Sequence, residues 1–528
     1  MNTPRRLQSY AQGRWVEGTG RFTDLAHAVT GEKVAEASSQ GLDFAGMVEY
    51  GRRVGGPSLR TLTFHQRADR LKALAVYLTE RKDAFYAEST ATGATRADSG
   101  FDIDGGIGTF FAYASKGRKE LPNAPFYVDG ALEPLGKTGT FAGQHIAVPI
   151  EGVAVHINAF NFPVWGMLEK LATTILAGVP AIVKPATLTS FLTESVFRAM
   201  VESKVLPDGA IQLICGSAGD LLDHLDGQSA VAFTGSADTA RMLRSTPAIL
   251  ANNVRFNAEA DSLNFSMLAP ESGPGTEEFD LFIKEVVREQ TFKAGQKCTA
   301  IRRTLVPEPL VEAAVAALRK RLDGVTLGDP NAEGVRMGPL AGRAQVKDVR
   351  ANVEKIRQGA ELVYGNPDDF AVVGGDREKG AFFPALLFYA KDPLHTAQPH
   401  DIEAFGPVNT VMPYRTIGEA IAIAKLGKGS LVGSLFTSDD AVARQVALGV
   451  AAYHGRLLIL NRESAAESTG HGAAMPQLVH GGPGRAGGGE ELGGIRGVLH
   501  YMQRTALQGS PATLAAITGA RSGSDPLP

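Results

Sequence analysis

The sequence predicts an α/β fold, built as two doubly wound parallel-sheet domains in series. Three observations predict it. Strand-like and helix-like segments alternate from Gly143 to Ala260, and again from Phe279 to Leu460. The strands are short, dominated by apolar and β-branched residues, and punctuated by Gly and Pro. A chain of 528 residues with 44% hydrophobic content can also bury more than one core.

From Thr63 to Tyr86, "TFHQRADRLKALAVYLTERKDAFY" places apolar residues three and four apart with charges between them, which predicts one amphipathic helix. Helix is expected to continue to about Gly117. "GQHIAVPIEGVAVHINAF" reads as strand, "VWGMLEKLATTILAG" as helix and "VPAIVKPAT" as a short buried strand. The alternation continues with helix at "SFLTESVFRAMVES", strand at "AIQLICG", helix at "DLLDHL", strand at "SAVAFTGS", helix at "ADTARMLRS" and strand at "NNVRFNAEA". Right-handed crossovers then make the sheet parallel and put ligands at the carboxyl ends of its strands. The second series includes the helices "FDLFIKEVVREQTF" and "LVEAAVAALRKRL" and the strands "RRTLVPE" and "GPVNTVMPY". Past Ala474, "HGGPGRAGGGEELGG" looks too glycine-rich for regular structure, and residues 519–528 read as a frayed tail.

Composition excludes several function classes. A net charge of -3 with 21% charged residues gives no electrostatic case for nucleic acid. No apolar signal core or uncharged run of about 18 residues is present, so no membrane association and a cytoplasmic location are expected. Two cysteines cannot form a disulfide framework or a four-thiolate zinc site, and the histidines lack metal-binding spacing, so no metal is expected. "GALEPLGKTG" imitates a phosphate loop, but five residues separate Gly130 from Gly136 where that motif needs about four, and strand follows it. No G-x-G-x-x-G follows a strand.

Cys298, in "TFKAGQKCTAIRR", is the candidate nucleophile. A thiol reacts as thiolate, favoured by backbone N–H groups or nearby cations, and Gly295, Gln296, Lys297 and Arg302 suit such a site. An isolated cysteine can equally be a small buried hydrophobe, the reading given to Cys215 in its apolar strand.

The company Cys298 keeps is more specific. "AFNFPVW" (159–165), "VKPAT" (183–187), "FTGS" (233–236), "GQKC" (295–298), "GDP" (328–330) with "GPL" (338–340), and "EAFGP" (403–407) form an ordered set across nearly the whole chain. That set resembles the aldehyde dehydrogenase superfamily. The ending "HGGPGRAGGGEELGG" is similar to a branch acting on CoA-thioester semialdehydes in aerobic aromatic-acid breakdown, benzoate included.

The resemblance implies a nucleophilic Cys298 and an oxyanion hole from the Asn161 side chain and the Cys298 backbone N–H. Glu259 would be the base for deacylation, its pKa raised in a partly apolar cleft. Most relatives follow this Glu with Leu-Gly-Gly, whereas here Ala260, Asp261 and Ser262 follow. Lys170 and Glu491 match a water-linked proton relay. Ala159, Phe160, Lys184, Pro185 and Thr187 match the cofactor site, and Gly235 and Ser236 would meet the pyrophosphate at a helix start. Glu403 and Phe405 match the pair orienting the nicotinamide ribose and ring. Thr187 stands where many NAD-preferring relatives carry Glu, so NADP is the expected cofactor, with NAD possible. Read without the family, Asn161 is a turn former, Glu259 a loop carboxylate, Lys170 a snorkelling charge, Ser236 a bare cap and Glu403 a surface acid.

The implied architecture is the aldehyde dehydrogenase fold. A dinucleotide-binding domain would span 1–126 and 150–262, and the Cys298 domain 263–480. A small β oligomerisation flap with the C-terminal segment would take 127–149 and 481–518. Bare flap edges would aggregate, so a homodimer is expected. The substrate would be an aldehyde, expected to be CoA-linked. Rival readings are a CoA-acylating dehydrogenase, opposed by Glu259, and a non-catalytic binding protein, opposed by Cys298 and Asn161. A thiol hydrolase would need a histidine facing Cys298, and none of the 11 histidines sits in a recognisable partner motif.

Overall fold

The computed structural model describes residues 5–519, so of the expected tail only Gly519 lies among the described residues. Two seven-stranded sheets, two three-stranded sheets and a two-stranded hairpin organise the described residues. In the first, Arg255–Glu259, Ala230–Thr234, Ala154–Ile157, Ala181–Lys184 and Ile211–Leu213 lie side by side and parallel. Every residue of Ala154–Ile157 is buried, as expected for a strand covered on both faces. An antiparallel hairpin of Gln8–Ala11 and Arg14–Glu17, absent from the expected elements, extends this sheet at one edge. Gln12 and Gly13 both have positive φ, the requirement of a tight two-residue hairpin turn.

The second sheet runs Leu386–Tyr389, Val408–Tyr414, Ile301–Pro307, Asn264–Leu268, Ser430–Phe436 and His454–Leu460 in parallel, with Glu361–Tyr364 antiparallel at one edge. All seven residues of Ser430–Phe436 are buried. The flap pairs Ala142–Pro149 between Tyr127–Pro134 and Met502–Gly509, so a C-terminal strand completes a sheet begun some 350 residues earlier.

Helices fill the layers between. Phe64–Thr79 starts at a capping box made by Thr63 and Gln66. The single helix expected over 63–86 is two: the chain turns at Glu80 and Arg81, and Lys82–Ser89 sends Phe85 and Tyr86 into the core that holds Leu71 and Leu78. Trp165–Ala177 is buried almost throughout and stops at Gly178, which takes a φ of 89° and whose missing Cβ leaves room for the Arg67 guanidinium. The helix expected at "DLLDHL" is only a 3-10 turn, Leu221–His224, which buries Leu221 and Leu222.

The glycine-rich stretch after Ala474 overturns expectation. Val479–Gly481 and Glu490–Leu492 pair antiparallel, with His480 directly opposite Glu491. Glycine is required here by close approach, not by disorder. A Cβ on Gly481 would lie 2.1 Å from the Gly489 carbonyl oxygen, and one on Gly487 2.3 Å from that of Ala258. This hairpin lies against the carboxyl end of Arg255–Glu259, where Ala260 N–H donates to the Ala486 carbonyl.

Candidate active site

Cys298 sits in the loop between the helix Glu277–Thr291 and the strand Ile301–Pro307. Three consecutive residues there, Lys293, Ala294 and Gly295, have positive φ, and two of them carry a Cβ, a strain worth about 1–3 kcal/mol each. The surroundings hold that shape. Asp98 accepts from the Lys293 N–H at 2.7 Å, and Arg302 donates to the carbonyls of Gly295 and Gly406 at 2.8 and 2.6 Å. Asn264 Nδ2 donates to the Cys298 carbonyl at 2.8 Å and the Ala300 carbonyl at 2.9 Å. Asn161 Nδ2 donates one hydrogen to the Gln296 carbonyl at 3.0 Å, which leaves the second for a ligand in the cleft that Asn161 and Cys298 both line.

The cations expected to activate the thiol are committed elsewhere. Lys297 is paired with both oxygens of Glu289 at 2.8 and 2.7 Å, and Arg302 is consumed by backbone carbonyls. Burial and the neighbouring Glu259 carboxylate instead push the Cys298 thiol well above its ordinary range. The expectation for Glu259 is corrected too. Burial alone would push its carboxyl up, but His480 and Lys170 outweigh it and hold Glu259 at about 2. It is therefore a carboxylate at any physiological pH.

His480 is the residue that sequence reading missed. Its Nε2 lies 3.9 Å from Cys298 Sγ and 2.9 Å from Glu259 Oε2, and its ring packs edge-on against Trp165. The "HGG" that carries it offered no partner motif, because only the pairing of its strand with Glu490–Leu492 turns it inward.

Behind Glu259 lies a buried charge cluster. Lys170 Nζ donates to Thr234 Oγ1 at 2.8 Å, Glu491 Oε2 at 3.0 Å and Glu169 Oε1 at 3.2 Å. Carboxylate oxygens of Glu169, Glu259 and Glu491 lie within 4.8 Å of one another. Burial lowers the Lys170 ammonium, but Glu491 and Glu169 outweigh it and leave it above its ordinary value. Glu169 is pushed well up by burial. Glu169 is the second residue missed, since beside Lys170 on a helix it reads as an ordinary charge.

Most of the expected cofactor residues gather at the carboxyl ends of the first sheet's strands, round a cleft of about 730 Å³, and Glu403 and Phe405 face them from just before the second sheet's strand Val408–Tyr414. Ala159, Phe160, Lys184, Gly235, Ser236, Glu403 and Phe405 line it, with Asn161, Glu259 and Cys298 at one end. Pro185 is buried just behind the wall, and the Thr187 hydroxyl donates to the Gly216 carbonyl at 3.3 Å, so neither lines it directly. Lys184 has no carboxylate partner within 4.0 Å among the described residues, which leaves its charge for an anion. Phe160 and Phe405 meet edge to face at 5.9 Å. Burial pushes the Glu403 carboxyl up to about 7. These donors fit a dinucleotide. The helix start is more crowded than expected: Ser236 Oγ accepts from the Thr239 N–H, and Asp261 Oδ1 takes the Ala237 N–H at 2.9 Å. Ser262 Oγ bonds Asn264 Oδ1 and the Leu431 N–H, so the Ala260-Asp261-Ser262 loop is firmly placed.

A family model described as the aldehyde dehydrogenase family matches residues 15–507. The chain is 44% identical over 479 residues to 3,4-dehydroadipyl-CoA semialdehyde dehydrogenase of Aromatoleum evansii, a match spanning 90% of this chain and 93% of that one. It is 54% identical over 182 residues to Protein MaoC of Klebsiella aerogenes, covering 34% of this chain and 52% of that protein. Among solved structures, betaine aldehyde dehydrogenase from Staphylococcus aureus in complex with NAD+ superposes with a TM-score of 0.83 at 23% identity, covering 96% of this chain and 95% of that one. At that identity the likeness concerns the fold.

Proposed function

The chain belongs to the aldehyde dehydrogenase family, and from that premise we propose that it oxidises a CoA-linked semialdehyde to the acid, with NADP and without free CoA. The observation that carries the hydrolytic reading is the ionised Glu259 beside Cys298, backed by the Lys170 cluster. In an acylating enzyme free CoA resolves the thioester, and no base for water is needed. The CoA-linked substrate rests on the 44% identical relative. It would be 3,4-dehydroadipyl-CoA semialdehyde if the two share a substrate, which would place the protein in benzoate breakdown in the cytoplasm.

Cys298 adds through sulfur to the aldehyde carbon, and the free amide hydrogen of Asn161 and the Cys298 N–H receive the developing oxyanion. When bound, the nicotinamide supplies the hydride acceptor. Ala159, Phe160, Lys184, Gly235, Ser236, Glu403 and Phe405 would hold the cofactor, with Pro185 shaping the wall behind Lys184. Thr187 contributes chiefly by not being an acid, which removes repulsion toward a 2′-phosphate. Glu259 then takes a proton from water, hydroxide attacks the thioester, and the Cys298 thiolate leaves. Lys170 and Glu491 would carry the proton out. Exposed Leu132, Leu135 and Phe141 on the flap support a homodimer that covers its edges.

Absorbance at 340 nm with free and CoA-linked aldehydes, NAD or NADP, and wild type against Cys298→Ala tests the reading. NADPH formed without free CoA and abolished by the substitution is expected; a strict requirement for free CoA overturns the hydrolytic step. The contact between His480 and Cys298 also favours a second reading, cofactor-independent thiol hydrolysis. That would show as thioester cleavage with neither NAD nor NADP present.

A further inference from the structure

We propose that His480 is a further catalytic residue, the base that takes the Cys298 proton and so serves the acylation half of the reaction, while Glu259 serves the hydrolytic half. The inference rests on the dehydrogenase reading for its substrate, but not for its chemistry at sulfur.

The imidazole touches both partners through one nitrogen. Nε2 lies 3.9 Å from Cys298 Sγ with hydrogen-bond geometry. Glu259 Oε2 is 2.9 Å from the same nitrogen. A proton on Nε2 is therefore steadied by the carboxylate and lies within reach of the sulfur. The imidazole is held in that position from three sides. Trp165 packs edge-on at 5.5 Å between centroids, the strand register fixes His480 opposite Glu491, and the Gly481 backbone is clamped on Gly489. A histidine 3% exposed, in a strand that leads into a glycine-built turn, has no solvent-facing purpose.

The charge arrangement asks for such a base. With Lys297 neutralised by Glu289, and Arg302 hydrogen-bonded to carbonyls and facing Glu403 at 3.8 Å, neither supplies the sulfur with a free cation. Glu259 adds a negative charge to the same space, and Glu169, Lys170 and Glu491 lie behind it. Transfer of the S–H proton to Nε2 leaves the electron pair on sulfur and creates an imidazolium between thiolate and carboxylate, the one arrangement here that sets a cation against both. As the S–C bond forms, the carbonyl π pair moves to oxygen. When the thioester is later hydrolysed, the departing thiolate recovers its proton from His480.

The test uses full-length protein without cofactor or aldehyde. Iodoacetamide alkylation of Cys298 is followed by intact mass and peptide mapping from pH 6 to 10, in wild type, His480→Gln and His480→Phe. Both variants are expected to react at least about tenfold more slowly at pH 7 and to approach the wild-type rate at high pH, where the base is dispensable. In a separate assay with aldehyde and NADP, first-turnover NADPH formation is expected to slow by about 10²-fold, the low end for loss of a general base. Added imidazole should partly restore alkylation in His480→Ala. Alkylation rates and pH profiles matching wild type in a folded variant overturn the proposal. His480→Phe, which can still pack on Trp165, covers the case in which Gln does not fold. A normal alkylation effect with no aldehyde oxidised would sink the dehydrogenase reading and leave this one standing.

Discussion

Replacing Lys170 with methionine should destabilise the protein by about 3–5 kcal/mol at pH 8, the cost of removing one partner from a buried ion pair. The ammonium is 2% exposed, and it donates at 3.0 Å to Glu491 and 3.2 Å to Glu169. At those separations each pair attracts by about 5 kcal/mol with an effective dielectric near 20. Burying the ammonium costs several kcal/mol, so the gross attraction overstates the net value of the pair. Methionine keeps most of the stem, so the loss is electrostatic: two carboxyl groups remain buried without their cation. The pH dependence has a definite sign. Lys170 is raised above its ordinary 10.5, so its stabilisation is present below about 10.5 and fades as pH climbs through the higher folded value. In the variant, Glu169, already pushed up by burial, takes a proton as pH falls, and the deficit should shrink between pH 8 and pH 5. Urea unfolding of both proteins at pH 5, 6.5 and 8 measures this. A deficit under about 1 kcal/mol, or one constant with pH, would refute the electrostatic account of the cluster.

Three further outcomes are expected. Glu403→Gln should flatten the pH dependence of cofactor binding between pH 6 and 8, read by protein fluorescence, because burial places the native carboxyl at about 7 and only its ionised form accepts two ribose hydroxyls. The same raised acid makes wild-type stability fall as pH rises from about 4.5 toward 7, and the variant should lose that slope. Glu259→Gln should stop turnover after one burst of NADPH, because the thioester on Cys298 then lacks a base for water; sustained turnover at the wild-type rate would contradict its assignment. Thr187→Glu should weaken NADP relative to NAD by about a hundredfold, roughly 2.7 kcal/mol of like-charge repulsion, and equal loss of both cofactors would refute the electrostatic argument for this position.

Much of this was legible in the sequence, and the limits have physical causes. The alternation of strands and helices was readable because the central parallel strands are covered on both faces, which keeps their residues apolar. The N-terminal hairpin was not read, although Gln12-Gly13 between two short runs was a usable turn signal. Cys298, Asn161 and Glu259 line one cleft despite wide sequence separation. Their electrostatics could not be read at all. Lys297 beside Cys298 looks like an activating charge, yet Glu289, eight residues back along the chain, neutralises it across a fold that composition does not describe. The "HGGPGRAGGGEELGG" run misled for a related reason. Its glycines mark backbone pressed against backbone, and two of the side chains it does carry, His480 and Glu491, face inward at the same rung.

That rung bears on how the proposed relay could work. Three carboxyl groups within 4.8 Å share one ammonium, so full ionisation would leave two net negative charges in a dry space. Glu169 is the group pushed well up and the first to take a proton as pH falls, while Glu259 is held at about 2. The cluster is thus asymmetric, with its readiest proton acceptor at Glu169 and a bare carboxylate beside Cys298. Behind it, Glu169, Lys170, Glu490, Glu491 and Tyr501 enclose a cavity of about 10 Å³, close to the space one water needs. Glu169 Oε2 and Glu491 Oε1 have no protein partner there. A proton taken by Glu259 from the attacking water therefore has somewhere to go by short steps, with the carboxyl groups trading places in charge and Lys170 fixed as the counter-ion throughout.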